Sequence, residues 1–300
     1  MHGAGMKEPE LYDDDGRAPG ESEDSPLLLE RLHRALARWN VRRLRPEHPT
    51  RRWRDEIEED LRMRSLEGEW IEAERAALRP WSREVPRSSA AFLRWFEALV
   101  DDGPANPGSM LDPLAERATL DQARWWMHQE LAAEAGLPAL VSLTRVRMPG
   151  LPGIAPAAAA AETRRLVRLG EALGSGSQPD AVWESLAVSN LAVALALNRR
   201  YAWHAVGALG AVALTAPIRA ERVSLALRRL GLDAAEHDVS GEHDQTGAWM
   251  REVLAPLVEE DPDRAPLIAE GALLRLRAAA RCARRCRSDL GGSEGEPALD

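Results

Sequence analysis

Lysine is almost missing from this chain: Lys7 stands alone against 38 arginines. With so many alanines beside it, that imbalance points to a GC-rich bacterial genome and says little about chemistry. Cysteine is nearly as scarce. Cys282 and Cys286 are the only two, four apart on a predicted helix, and reduced thiols on one helix face are the favoured reading over a redox pair or half a metal site. No charged N-terminal region leads into an apolar run, so no secretory signal is expected and the chain is assigned to the cytoplasm. The most hydrophobic stretch, Ser185–Leu197, carries Asn190 and lies between Glu184 and Asn198. It falls well short of the roughly 20 residues of a membrane span. No segment alternates apolar and polar residues long enough for a strand, and no period recurs as in a repeat array.

Charge is plentiful but lopsided. The chain carries −9 in total; residues 1–24 contribute −6 and residues 288–300 contribute −4, which leaves +1 on the body between them. The acidic balance thus belongs to two ends rich in Gly, Pro, Ser and acids, read as disordered tails flanking a single domain over 25–287. A near-neutral body gives no electrostatic reason to expect nucleic acid or an anionic membrane as partner.

Three-and-four spacing of apolar residues recurs throughout the body, so the expected fold class is all-α. Trp53, Ile57 and Leu61 form one stripe of a helix ending before Pro80. Phe92, Trp95, Phe96 and Leu99 mark another, capped at Ser88 or Ser89. Thr119 and Gln122 make a capping box opening a helix that stops at Gly136, and Pro138 opens a short helix to Met148. Residues 149–156 break the pattern. Beyond them a helix from Ala157 to Leu173 is followed by a long apolar helical stretch up to Thr215, punctuated by Pro217. Helices over 218–230, 234–258 and 263–286 complete the series.

Several strings carry a family resemblance. Thr119–Leu143 (TLDQARWWMHQELAAEAGLPALVSL), Val182–Pro217 (VWESLAVSNLAVALALNRRYAWHAVGALGAVALTAP), Ala248–Leu257 (AWMREVLAPL) and Ile268–Cys282 (IAEGALLRLRAAARC) resemble the bacterial iron-containing redox enzymes of the haem-oxygenase-like superfamily. The similarity extends over about residues 50–286. It implies a haem-oxygenase-like bundle of seven helices with a buried site holding one or two non-haem irons. Those irons would activate dioxygen on small molecules. The implied ligands are a Glu and a His about ten residues apart on one helix, a Glu on a second, and His-x3-Asp-x2-His on a third. Positions i, i+4 and i+7 of that last run share one helix face.

This chain departs from the pattern at each step. Glu162 is the one acid able to stand at the first position, and no histidine follows it before His204. Ala213 falls where the second carboxylate belongs. Counting back from Trp249 puts Asp238, Glu242 and Gln245 at the third set. His237 and His243 are six residues apart, about 240° around a helix, and cannot serve one metal together without distortion. They sit among four acids and read as a solvated helix end, while His204 reads as a hydrogen-bonded core histidine. Trp125, Trp126 and Glu130 read as core packing with one polar partner.

Two functions compete. In the first, the fold persists, no metal cofactor is expected, and the chain binds a small molecule in the bundle interior or a partner protein on its surface. In the second, it is a working non-haem iron oxygenase with a rearranged site drawn from Glu162, His204, His237, Glu242 and His243.

Overall fold

The computed structural model describes residues 26–45, 52–82, 84–101, 119–147, 164, 166–173, 181–233 and 244–291. Every element among them is helical: α1 (Pro26–Leu44), α2 (Trp53–Ser82), α3 (Ser89–Asp101), α4 (Leu120–Glu134), α5 (Leu137–Arg147), α6 (Trp183–Leu197), a 3-10 turn (Arg199–Tyr201), α7 (Ala202–Arg229), α8 (Asp244–Glu260) and α9 (Arg264–Gly291).

Local signals account for most boundaries. Thr119 accepts from the Gln122 backbone N–H at 3.2 Å, and the Gln122 side chain accepts from the Thr119 N–H at 2.8 Å. The capping box therefore opens α4 as the sequence requires. Gly231, at φ 72°, closes α7. The Leu232 and Gly231 amides bond back to the Leu227 and Arg228 carbonyls, the paired bonds of a Schellman motif, whose left-handed residue favours glycine.

Two expectations need correction. The apolar stretch after residue 182 breaks at Asn198, not at Pro217. Asn198 is extended, and its side chain accepts from the Arg200 amide at 3.0 Å, which starts a 3-10 turn and lets α7 begin in a new direction. Pro217 sits inside α7; it removes one backbone donor, and the Thr215 hydroxyl occupies the nearby Ala211 carbonyl at 2.9 Å. The second correction concerns α2, which does not end before Pro80 but holds it inside the helix and runs on to Ser82. The stripe of Trp53, Ile57 and Leu61 is exposed, and burial starts at Met63 and continues through Trp70, Ile71 and Leu78.

The centre of the bundle is α6, α7 and α9. Helix α6 is buried on nearly all faces, with Ser185, Ala187, Val188, Asn190 and residues 191–196 all shielded, as a helix enclosed by others must be. Asn190 is satisfied there by the His33 carbonyl and by Asn40, each at 2.9 Å. Helices α7 and α9 approach closely. A Cβ on Gly207 would lie 1.8 Å from the Ile268 carbonyl oxygen, and one on Gly271 would lie 1.9 Å from that of His204. Only glycine lets the two backbones approach so far. The segment Arg199–Arg229 is long and apolar enough, by length and composition, to cross a membrane, but α7 spends its apolar face on α9.

Candidate functional site

Where α4, α6, α7 and α9 meet, the packing is incomplete. A cavity of about 80 Å³, partly open to solvent, lies there. Helical periodicity decides what faces it. From α4 come Trp126, Glu130, Ala133 and Glu134; from α7 come Thr215, Arg219 and Arg222, at i, i+4 and i+7; α6 adds Val188. Helix α9 supplies Arg275 and Leu276, then Ala279, Ala280 and Ala283, and finally Cys282 and Cys286.

Charge organises this interior. Arg219 Nε lies 2.6 Å from Glu134 Oε1, and Arg222 Nη2 lies 3.3 Å from Glu130 Oε2, all four side chains being largely buried. The Arg222 guanidinium also sits 5.3 Å from the Trp126 ring centroid, a cation–π arrangement. Glu130 is thus the polar member of a packed face, as the sequence suggested, but its partner comes from α7. Arg275 is 8% exposed, and its Nη1, like Arg219 Nη1 and Arg222 Nε, is buried with no hydrogen-bond partner; unlike those two arginines, it makes no ion pair with Glu130 or Glu134.

The two thiols are free and buried on one face of α9, matching the favoured reading of the cysteines. Cys282 lies 3.4 Å from the Ser185 hydroxyl, and Ser185 in turn donates to Gln129 at 3.1 Å. A hydrogen bond from Cys286 is the main cause lowering the Cys282 thiol pKa; the same bond, then burial, raises that of Cys286. Both thiols line the cavity that Arg222 and Arg275 also face.

A second polar cluster surrounds His204. Its Nε2 lies 3.1 Å from Glu270 Oε2, which also accepts from Arg75 Nε at 2.9 Å. Arg75 continues to Glu72, which accepts from the Tyr201 hydroxyl at 2.8 Å. Burial pushes the Glu270 carboxyl up, but the bonds from His204 and Arg75 outweigh it and hold the pKa below the usual range. Burial and Glu72 push the Tyr201 phenol up to about 12. His204 is therefore the hydrogen-bonded core histidine that its setting suggested.

The expected ligand positions do not converge among the described residues. Ala213 is on α7, half-buried against the core. His204 is nine residues earlier on the same helix, about half a turn out of phase, so the two face opposite ways. Gln245 lies in the first turn of α8. Glu162, His237, Asp238, Glu242 and His243 lie outside the described residues. No group of three or more His, Cys, Asp or Glu side chains able to hold a metal occurs among those described.

Sequence reasoning missed the three arginines. The signal was present in Thr215, Arg219 and Arg222 on one face, and in Arg275 and Arg277 inside an otherwise apolar run. Both patterns look like ordinary solvated charge until the partner helices are in place.

No curated protein and no solved structure matches the chain. The family whose sequence model matches it, over residues 126–280, is described as iron-containing redox enzyme. That stretch contains α5 to α8 and more than half of α4 and of α9. Since it exceeds half of the chain, the protein belongs to the iron-containing redox enzyme family.

Proposed function

We propose that this chain is a metal-independent member of its family that binds a small molecule in the cavity between α4, α6, α7 and α9. The observation that carries the reading is the charge of that cavity. Three guanidinium groups face it against two carboxylates, and both carboxylates are already committed to arginines. A divalent cation entering a region of net charge +1 would be repelled by roughly 7 kcal/mol at ~5 Å with an effective dielectric of about 20. The family's iron would instead need several converging imidazole and carboxylate donors. The described residues do not gather such a set, and His204, the one described imidazole among the expected ligands, is engaged by Glu270.

A ligand that binds the folded state selectively raises the unfolding temperature by mass action. Thermal unfolding of the purified full-length chain with excess ferrous iron under argon, and separately with manganese, should therefore show no stabilisation. A rise of several degrees with either metal would overturn the proposal and restore the reading of a rearranged iron site.

A further inference from the structure

Arg275 projects from the middle of α9 into the cavity, shielded from solvent and with Nη1 unpartnered. A buried guanidinium without a counter-ion is costly by several kcal/mol, and such groups are ordinarily paired. Glu134 and Glu130 favour its charge from a distance, but they are ion-paired to Arg219 and Arg222, so three guanidiniums share two carboxylates and the cavity keeps one positive charge in excess. Burial first, and then Arg219 beside it, lower the Arg275 pKa to about 10, so it is still a cation at neutral pH. The other walls are apolar and small: Val188 and Leu276 on one side, and Ala279, Ala280 and Ala283 along α9, which leave the room that larger side chains would fill.

We infer that the cavity is a binding site for a small organic monoanion, a carboxylate with an apolar body, seated with its carboxylate on Arg275 and its body against Trp126 and Val188. This rests on the metal-independent reading above. One negative charge cancels the one uncompensated positive charge, whereas a dianion such as a phosphate monoester would leave buried negative charge of its own. The planar fork of a guanidinium matches a carboxylate in two parallel hydrogen bonds.

The test compares 3-phenylpropanoate with its neutral amide by calorimetric titration of the full-length chain, as wild type, Arg275→Met and Arg275→Lys. The acid should bind wild type at least tenfold more tightly than the amide. Arg275→Met should abolish that preference while leaving amide binding in place, which also shows the variant to be folded. Arg275→Lys should retain part of the preference. Because a costly unpartnered charge is gone, Arg275→Met should also unfold at a higher temperature than wild type without ligand. Equal binding of acid and amide by wild type, no binding of either at millimolar concentration, or an undiminished preference in Arg275→Met would each overturn the inference. These outcomes are separable from failure of the metal-independent reading, which is decided by the response to iron alone.

Discussion

Replacing Gly271 by alanine tests the α7–α9 contact on which the cavity depends. The added Cβ would lie 1.9 Å from the His204 carbonyl oxygen, where real Cβ contacts are essentially never closer than 3.0 Å. The helices must then part by about 1.1 Å at that point, the difference between those two distances. A gap of 0.5–1 Å already forfeits a quarter to a half of the dispersion energy of each contact, and overpacking typically costs about 1–3 kcal/mol. Both clashing groups are backbone, so relief by a rotamer change is not available and the upper end of that range applies. Helix propensity works the other way, since alanine is favoured over glycine by about 1 kcal/mol in a helix interior. The net expectation is a loss of about 2 kcal/mol, or roughly 4–8 °C in Tm for a domain of this size. Gly68→Ala is the internal control. It lies inside α2, and a Cβ there meets nothing within 4 Å, so only the propensity term remains and the variant should gain about 0.5–1 kcal/mol. Urea titration followed by far-ultraviolet circular dichroism measures both. Gly271→Ala within 0.5 kcal/mol or so of wild type would refute the close crossing.

His33 gives a pH dependence with a definite sign. Burial first, and Arg281 second, lower its pKa to about 3, and its ring packs 5.5 Å from that of Trp183. The folded state therefore resists a proton that the unfolded state accepts below about pH 6.5, and stability falls with pH through that window at up to ~1.4 kcal/mol per unit. Other groups titrate there too, so the difference between wild type and His33→Phe should carry this slope; parallel stability curves for the two would disprove it. The thiols provide another check. Cys282 and Cys286 are 7% and 4% exposed, and both should react with a thiol reagent far more slowly in the native protein than in urea; fast native labelling would place one of them at the surface.

The sequence-level signals that proved legible were local ones. The Thr119–Gln122 box, the stop at Gly136, the cap region before Ser89 and the turn at Gly231 all depend on a few adjacent residues, and each was readable. Pro217 misled because a proline forbids one backbone bond, not a helix, while Asn198 broke the chain through a side-chain bond to Arg200 that composition does not announce. The stripe of Trp53, Ile57 and Leu61 has helical spacing, yet spacing does not say whether a neighbour covers it. The cavity was hidden for the same reason. Glu130, Glu134, Arg219, Arg222 and Arg275 lie far apart in the chain, and only the crossing of α7 and α9, made possible by Gly207 and Gly271, brings their charges into one interior. The iron-containing redox enzyme resemblance, carried by long strings on α4, α6 and α7, was the part readable at a distance. Of the expected ligand positions, Ala213, His204 and Gln245 are described, and the first two diverge on α7; Glu162, His237, Asp238, Glu242 and His243 lie outside the described residues.

The central claim is that the family's fold works here without the family's metal, and iron stoichiometry tests it most directly. The full-length chain is loaded with ferrous iron under argon, desalted, and its iron counted by elemental mass spectrometry, with the absorbance followed on admitting oxygen. The account predicts far less than one iron per chain and no oxygen-dependent absorbance change. Stoichiometric iron with such a change would contradict it, and single alanine substitutions of His204, His237 and His243 would then identify the imidazoles that hold the metal.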